Sequence, residues 1–357
     1  MAHSKTAELS ILSTLIGVAE KAGDIARICR QDDHLLSLLV REKSESEKNP
    51  RYVHDFKTLA DVLVQEVVKH ELCSKFPVLN GYIFGEESNG FELENECVTI
   101  EVKSDVEETC ALLSKILLDP EASKILAEVV HSETIETDCT VHIPELPAAV
   151  GVWIDPIDST AEFIGGKNGE KDGRIRTGLP CVTILIGVFD RNTGEPIMGI
   201  INQPFYTVQH EKWRGRYVYG VCINDYKVCG PEYKLNTKEK VIAVSSSEND
   251  DIKHKLSQNG YSIAEIAGAG YKIFNIIIGE VCGYVLSKPT TYMWDICAGH
   301  AILKSIGGDI IEFTSLKPLK YKGHVGVKNT CNNGGIIAFR DLTVKEDIIE
   351  SLNLKGE

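Results

Sequence analysis

Three β-rich runs stand close together in the middle of the chain: "CVTILIGVFD" (181–190), "EPIMGIINQPF" (195–205) and "RYVYGVCIN" (216–224). The turn "RNTG" (191–194) punctuates them, and a fourth run, "VGVWI", precedes them at 150–154. Apolar, β-branched segments bounded by turn chemistry predict a largely antiparallel or mixed sheet. From residue 241 the texture changes to alternation. "VIAVSSS" reads as a strand, "DDIKHKLSQNG" as a helix with a glycine stop, and "YSIAEI" as a strand. "AGYKIFNIIIGE" follows as a helix, "VCGYVLSK" as a strand and "DICAGHAILKSIGG" as a helix ended by glycines. Such alternation is α/β organisation.

Upstream, residues 8–29 carry Leu12, Leu15, Ile16 and Ala19 on one helical face. A second helix is expected over "LLSLLVRE" (35–42), then an exposed connection "EKSESEKNP" (42–50). "DFKTLADVLVQEVVKHELCSKF" (55–76) continues as a helix from about Thr58, and Pro77 with Asn80-Gly81 ends it before a short strand at 82–88. Residues 89–147 are rich in Glu, Asp, Ser and Thr, with helices expected at 107–118 and 121–130. They read as an elaboration on the core fold. The Gly-rich, charged stretch "GGKNGEKDGRIRTG" (165–178) reads as a mobile surface loop. These textures divide the chain into an α+β part over 1–240 and an α/β part over 241–357.

At 357 residues the chain is long enough for two domains or one large layered unit. A formal net charge of −14 argues against nucleic acid as a partner. It leaves room for an anionic substrate, because bound divalent cations reverse the local field of a carboxylate-lined site. No run reaches the roughly 20 apolar residues of a bilayer span, and Met1–Thr6 lacks a secretory pattern. Eleven cysteines without a CxxC pair read as free thiols in a cytoplasmic protein.

Acidic residues gather at the boundaries of apolar runs. Asp155 and Asp158 follow "VGVWI", Glu86 and Glu87 follow "YIFG", Asp295 opens a helix after an aromatic pair, and Asp61 lies early in the helix starting "KTLAD". Each has a bland reading: a turn with an N-cap, a solvated loop, a helix cap, a charged helix face. Taken jointly they read otherwise. A carboxylate at the end of a buried strand is costly unless paired or metal-bound, and several converging would repel one another without cations between them. Oxygen-only ligands suit Mg²⁺, and paired ions are a recurrent clamp for phosphoryl chemistry. In "DPIDST", Pro156 fixes the backbone so that Asp155 and Asp158 face one side while Ile157 anchors in the core with its carbonyl free to act as a ligand. Ser159 and Thr160 begin a helix whose N-terminal amides suit a phosphate, and Thr160 is placed to relay a proton to a nearby carboxylate.

Taken together, "DFKTLADVLVQ", "FGEES", "WIDPIDST", "INQP" and "WDICAGHAILKSIGG" resemble the lithium-sensitive, magnesium-dependent phosphatases related to inositol monophosphatase, from about Asp55 to Gly308. The wording "FGEESNGF", "GLPCVTILIGVFDRNTGEPIMGIINQPF" and "AGAGYKI" favours the branch acting on inositol polyphosphates. The resemblance implies an αβαβα sandwich, two or three Mg²⁺ ions per site and inhibition by Li⁺. It implies metal coordination by Glu86, Asp155, the Ile157 carbonyl, Asp158 and Asp295, with Glu87 and Asp61 close by. Asp61 with Thr160 would activate the attacking water. Substrate contacts would fall on Asp158, Ser159, Thr160, Ser247, Asn249, Gly268 and Lys272. The substrate would be a small phosphorylated inositol and the protein a monomer or a homodimer. Two departures are visible. Asn249 stands where a basic residue is expected, and "CAGH" (297–300) lacks an expected proline.

Rival chemistries are poorly supported: DPID has the wrong spacing for a nucleophilic DxD, and there is no GxSxG, HExxH or Walker A sequence. "GAGYK" (268–272) mimics only half a dinucleotide fingerprint. Two alternatives stay open, an adenosine 3′,5′-bisphosphate nucleotidase with the same metals and a non-catalytic inositide-binding protein.

Overall fold

The computed structural model describes residues 10–31, 36, 40–42, 56–93, 96–134, 141, 143–171, 173–233, 240–323 and 330–356. Helix α1 (Ile11–Gln31) buries Leu12, Leu15, Ile16 and Ala19, as its periodicity predicts. Of the helix expected at 35–42, Leu36 is helical, while residues 35 and 37–39 lie outside the described residues. Its last three residues instead form a strand, β1 (Val40–Glu42), paired antiparallel with β2 (Phe56–Thr58), which suits the β-branched Val40. The connection at 43–50 lies outside the described residues. Helix α2 (Leu59–Lys75) starts where expected. The Thr58 hydroxyl accepts from the Asp61 amide, and the Asp61 carboxylate accepts from the Thr58 amide, a reciprocal cap. Strand β3 (Ile83–Gly85) follows, then the hairpin β4 (Gly90–Leu93) and β5 (Glu96–Thr99), α3 (Val106–Leu117) and α4 (Pro120–His131). Asp105 and Asp119 cap these two helices, whose Leu113, Ile116, Leu126 and Val130 join the core beneath α1.

Strand β6 (Val150–Asp158) runs into a six-residue helix α5 (Thr160–Gly165). The stretch expected to be a loop is instead a hairpin, β7 (Gly169–Lys171) with β8 (Arg174–Thr177). Its glycines and charges mark the turn and an exposed edge rather than the absence of a ladder. Then come β9 (Thr183–Asp190), β10 (Pro196–Gln209), β11 (Lys212–Ile223) and β12 (Tyr226–Gly230). The first sheet has six strands in the order β12-β11-β10-β9-β6-β3, antiparallel except for β3 against β6.

The remainder builds β13 (Val241–Val244), α6 (Asp250–Gln258), β14 (Ser262–Glu265), α7 (Ala269–Ile277), β15 (Gly283–Leu286) and α8 (Met293–Ser305). Strands β16 (Asp309–Glu312) and β17 (Ile336–Phe339) and helix α9 (Leu342–Leu352) complete it. The second sheet has five strands in the order β14-β13-β15-β17-β16. Its β14, β13 and β15 are parallel, while β17 runs antiparallel to β15 and β16.

Three cores define the layers. The first joins α1 and α2 to Ile184, Ile186 and Val188 of the first sheet. The second fills the space between the sheets around α7 and α8, with Leu185 and Phe189 from one sheet and Ala243 and Ala338 from the other. The third packs Leu256 of α6 and Ile348 of α9 on Ile242, Val244 and Ile337. The alternation of neighbours between cores is the two-residue strand period with both faces covered. The result is an α/β sandwich of αβαβα layering.

Three glycines set the depth at which α8 lies. Gly187, Gly199 and Gly220 are directly paired across β9, β10 and β11. A Cβ on Gly187 would fall 2.5 Å from the Ala298 amide nitrogen, and one on Gly220 2.7 Å from the Ile302 Cα. The stripe is therefore a groove for the α8 backbone.

Candidate active site

Asp155 and Asp158 are three residues apart, and on a regular strand they would face opposite sides. On β6 they do not. Asp155 pairs with Leu185 and Asp158 with Thr183, so the strand carries one residue more than its partner between them. This bulge falls at Pro156-Ile157, where a missing N–H is tolerated, and it turns both carboxylates to one side. Ile157 is buried in the first core.

Asp295 joins them from α8. Ligand oxygens of Asp155, Asp158 and Asp295 all lie within 4.8 Å of one another. Asp295 is the third residue of α8, and its carboxylate accepts from the Tyr292 amide at 2.5 Å. An aromatic chain binds the carrying elements together: Phe84 to Trp153 at 5.1 Å, Trp153 to Trp294 at 5.9 Å and Trp294 stacked on Tyr292 at 4.7 Å. It spans β3, β6 and the start of α8.

Asp158 is held by the start of α7: it accepts from the Gly270 amide at 2.8 Å, from the Ala269 amide at 3.4 Å and from the Thr183 hydroxyl at 3.1 Å. Those amides are thereby spent on a carboxylate of the protein itself. Gly268, with φ of +74°, lets this loop close in. A Cβ there would lie 2.6 Å from Ser159 Oγ. Ser159 itself adopts φ of +74°, a strained backbone for a serine. Helix α5, expected to present its amides to a phosphate, has only six residues, and its Glu162 and Phe163 amides bond back to the Ser159 carbonyl. Little dipole remains for a ligand.

Asp61 is buried under Thr160. The Thr160 hydroxyl lies 3.4 Å from Asp61 Oδ1 and 3.2 Å from the Ile157 carbonyl oxygen, while Asp61 Oδ2 accepts from the Thr58 hydroxyl at 2.6 Å. The Glu86-Glu87 pair leaves the end of β3. Its amide ladder to β6 continues through Glu86 N and Ile154 O at 3.2 Å. Gln65 of α2 clamps Glu87, donating to its carbonyl at 2.6 Å and accepting from its amide at 3.0 Å. The sequence signal for Gln65 is its i+4 spacing from Asp61, which places both on one helix face.

A cavity of about 1160 Å³ opens over this cluster. Glu86, Glu87, Asp155, Ile157, Asp158, Ser159, Thr160, Gly268, Lys272 and Asp295 line it. Ser247 and Asn249 are not on its wall, where Ser245 and Ser246 stand instead. Asn249 stands at the N-cap position of α6, and its side-chain amide donates to the Ser287 hydroxyl at 3.3 Å rather than capping the helix. Lys272 is buried, donates to the Ile266 carbonyl at 2.9 Å and lies 4.9 Å from the Tyr284 ring centre.

The electrostatics call for cations. Burial, then the charges of Glu86, Asp158 and Asp295, push the Asp155 carboxyl well above its ordinary range. Burial, then Asp158 and Glu86, does the same to Asp295. Burial also raises Asp158, opposed by Lys272 and the Gly270 amide. Asp155 Oδ1 is buried without a hydrogen-bond partner among the described residues. An orphaned carboxylate oxygen among like charges fits a hard, oxygen-seeking divalent ion.

Residues 91–353 match the model of the inositol monophosphatase family. The chain belongs to this family. Inositol polyphosphate 1-phosphatase of Mus musculus is 41% identical over 92% of this chain and 93% of its own, and the Homo sapiens protein of that name is 41% identical over 92% and 94%. The 3′(2′),5′-bisphosphate nucleotidase 1 of Homo sapiens is 28% identical over 95% and 93%. Among solved structures, an IMPase of Thermotoga maritima superposes with a TM-score of 0.54 at 17% identity, covering 96% of each chain. The inositol monophosphatase of Anabaena gives 0.52 at 14%, covering 96% of this chain and 94% of its own. At those identities the likeness is one of fold, and it agrees with the layered sandwich expected from the sequence. Among the described residues no helix is long and apolar enough to cross a membrane.

Proposed function

We propose that the chain is a phosphate monoester hydrolase that removes the 1-phosphate from inositol polyphosphates such as inositol 1,4-bisphosphate and inositol 1,3,4-trisphosphate, requiring Mg²⁺ and inhibited by Li⁺. The observation that carries the reading is the convergence of Asp155, Asp158 and Asp295 in one cavity, in a chain 41% identical to proteins named for that activity. Nucleotidases of the family are more distant relatives.

Glu86, Asp155, Asp158, Asp295 and the Ile157 carbonyl would hold the ions, with Glu87 and Asp61 adjoining. When bound, divalent cations supply neutralisation of the phosphoryl oxygens and polarise water. The chain's own groups do the rest. The buried Asp61 accepts the proton that Thr160 passes on from the attacking water, its Oδ2 being fixed by the Thr58 amide and hydroxyl. Ser159, Gly268 and Lys272 face the substrate, Lys272 as a positive charge opposite the carboxylates. Water attacks phosphorus directly, so no covalent phospho-enzyme forms. The reading carries with it a small-molecule substrate and a monomer or homodimer in the cytoplasm, a setting in keeping with the described cysteines, all free thiols.

The test is a phosphate-release panel over inositol mono-, bis- and trisphosphates and adenosine 3′,5′-bisphosphate, with Mg²⁺, with and without Li⁺. Preference for the inositol bis- and trisphosphates with loss of turnover in Li⁺ is expected. Preference for the adenosine bisphosphate would transfer the chain to the nucleotidase activity, and binding without release would make it a binding protein.

A further inference from the structure

We propose that the β7–β8 hairpin forms a second phosphate-binding wall of the cavity, with Arg176 as its principal contact and Lys171 beside it, selecting substrates that carry a phosphate besides the one removed. The inference rests on the hydrolase reading above and deepens it.

The cavity is larger than one phosphate needs, at the upper end of small-ligand sites. Its wall runs from the carboxylates to Lys171, Arg176 and Thr177 of the hairpin. The hairpin is fixed there, not merely nearby. The Arg176 carbonyl accepts from the Ala267 amide at 2.8 Å, one residue before the Gly268 that abuts Ser159. Two residues after Arg176, at the same end of the hairpin, the Gly178 amide donates to the Glu162 carboxylate at 2.5 Å. The Arg176 Nε–H donates to the Lys171 backbone carbonyl at 3.4 Å, and Lys171 pairs with Arg174, which shares a strand face with Arg176. Arg176 is half-buried and Lys171 exposed.

Charge points the same way. Within residues 165–178, Lys167, Lys171, Arg174 and Arg176 stand against Glu170 and Asp172, a local excess of two positive charges in a chain of net charge −14. Two further cations stand on the cavity wall, each with protein partners, as Arg176 has. The Lys272 ammonium donates to the Ile266 carbonyl beside Asp158. Lys253 pairs with Glu265 at 2.6 Å and Asp250 at 3.7 Å and donates to the Ser246 carbonyl. Asn249 offers no charge and lies off the wall. A planar guanidinium is the side chain best shaped to take two phosphate oxygens at once.

The experiment compares the KM for inositol 1,4-bisphosphate with the Ki of inorganic phosphate in Mg²⁺, for wild type and for R176A, R176K and K171A. Inorganic phosphate competes at the carboxylates and lacks the second phosphate. The ratio of KM to Ki is expected to rise about tenfold or more in R176A, by less in R176K, which keeps the charge but loses the fork, and least in K171A. Should R176A fold poorly by thermal melting, R176K with K171A carries the test. A ratio unmoved in the folded variants, or KM and Ki rising together, overturns the proposal. Wild-type protein inactive on the bisphosphate would instead sink the hydrolase reading on which it rests.

Discussion

Replacing Gly187 by alanine puts a methyl group 2.5 Å from the Ala298 amide nitrogen and 2.7 Å from the Cys297 carbonyl carbon. Both obstacles are helix backbone, with no flexible side chain to yield. Ordinary contact begins near 3.4 Å, so α8 must retreat by about 0.9 Å. Asp295 sits on the same rigid helix two residues before Cys297, and it moves with it, away from Asp155 and Asp158. A displacement near 1 Å at a reacting centre costs about 10²-fold in rate, whereas the overpacking costs about 1–3 kcal/mol of stability. The variant is thus expected to stay folded, with a modest drop in Tm, and to lose about 10²-fold in kcat together with divalent-ion affinity. Gly165→Ala, where no atom lies within 4 Å of the added carbon, is the matched control. Steady-state kinetics with Mg²⁺ titration and calorimetry on both variants would decide. Wild-type turnover and ion affinity in a folded Gly187→Ala protein would refute the claim that the glycine groove positions Asp295.

Three further outcomes follow from the site. Asp155→Asn is expected to lose about 10²–10³-fold in kcat while melting, free of divalent ions, no lower than wild type, because a buried and repelled charge has been removed; a large drop in Tm would indicate a structural role instead. Thr160→Val removes the hydroxyl between Asp61 and the Ile157 carbonyl, and kcat should fall about 10²–10⁴-fold with little change in KM, a pattern that a pure binding role would reverse. The third concerns pH. Raised carboxyl values at Asp155 and Asp295 mean the folded, ion-free protein holds more protons than the unfolded chain from about pH 3.9 upward to the raised values. The cluster's contribution to stability therefore declines as pH rises through that window. Cations bind the ionised form, so the gain in Tm on adding Mg²⁺ should be larger at pH 8 than at pH 5; an equal gain at both would contradict the assignment.

The carboxylates were legible in the sequence because charge at the end of a buried apolar run is conspicuous whatever the tertiary fold. Asp61 was legible as a helix-start residue, and the structure adds its reciprocal cap with Thr58. The reason Asp155 and Asp158 share a side was only half visible: Pro156 hinted at it, but the bulge depends on the partner strand β9. Register is a relation between strands, so the Gly187-Gly199-Gly220 stripe could not be read from one run at a time. The hairpin at 169–177 was hidden because glycine and charge signal loops locally, while its anchoring bond to Ala267 is distant along the chain. Ser247 and Asn249 followed from a resemblance, and the turn after β13 carries them off the cavity wall. The end of the run at 35–42 shows the limit of periodicity, since at Val40–Glu42 a strand partner 16 residues on outweighs a pattern that suits a helix.

The measurement closest to the centre of this account is phosphate release from inositol 1,4-bisphosphate by chelator-stripped protein, with Mg²⁺ then restored, for wild type and Asp295→Asn. Turnover should be absent in both stripped proteins and return with Mg²⁺ only in the wild type. Full-rate hydrolysis by stripped wild-type protein, or full recovery in Asp295→Asn, would contradict it.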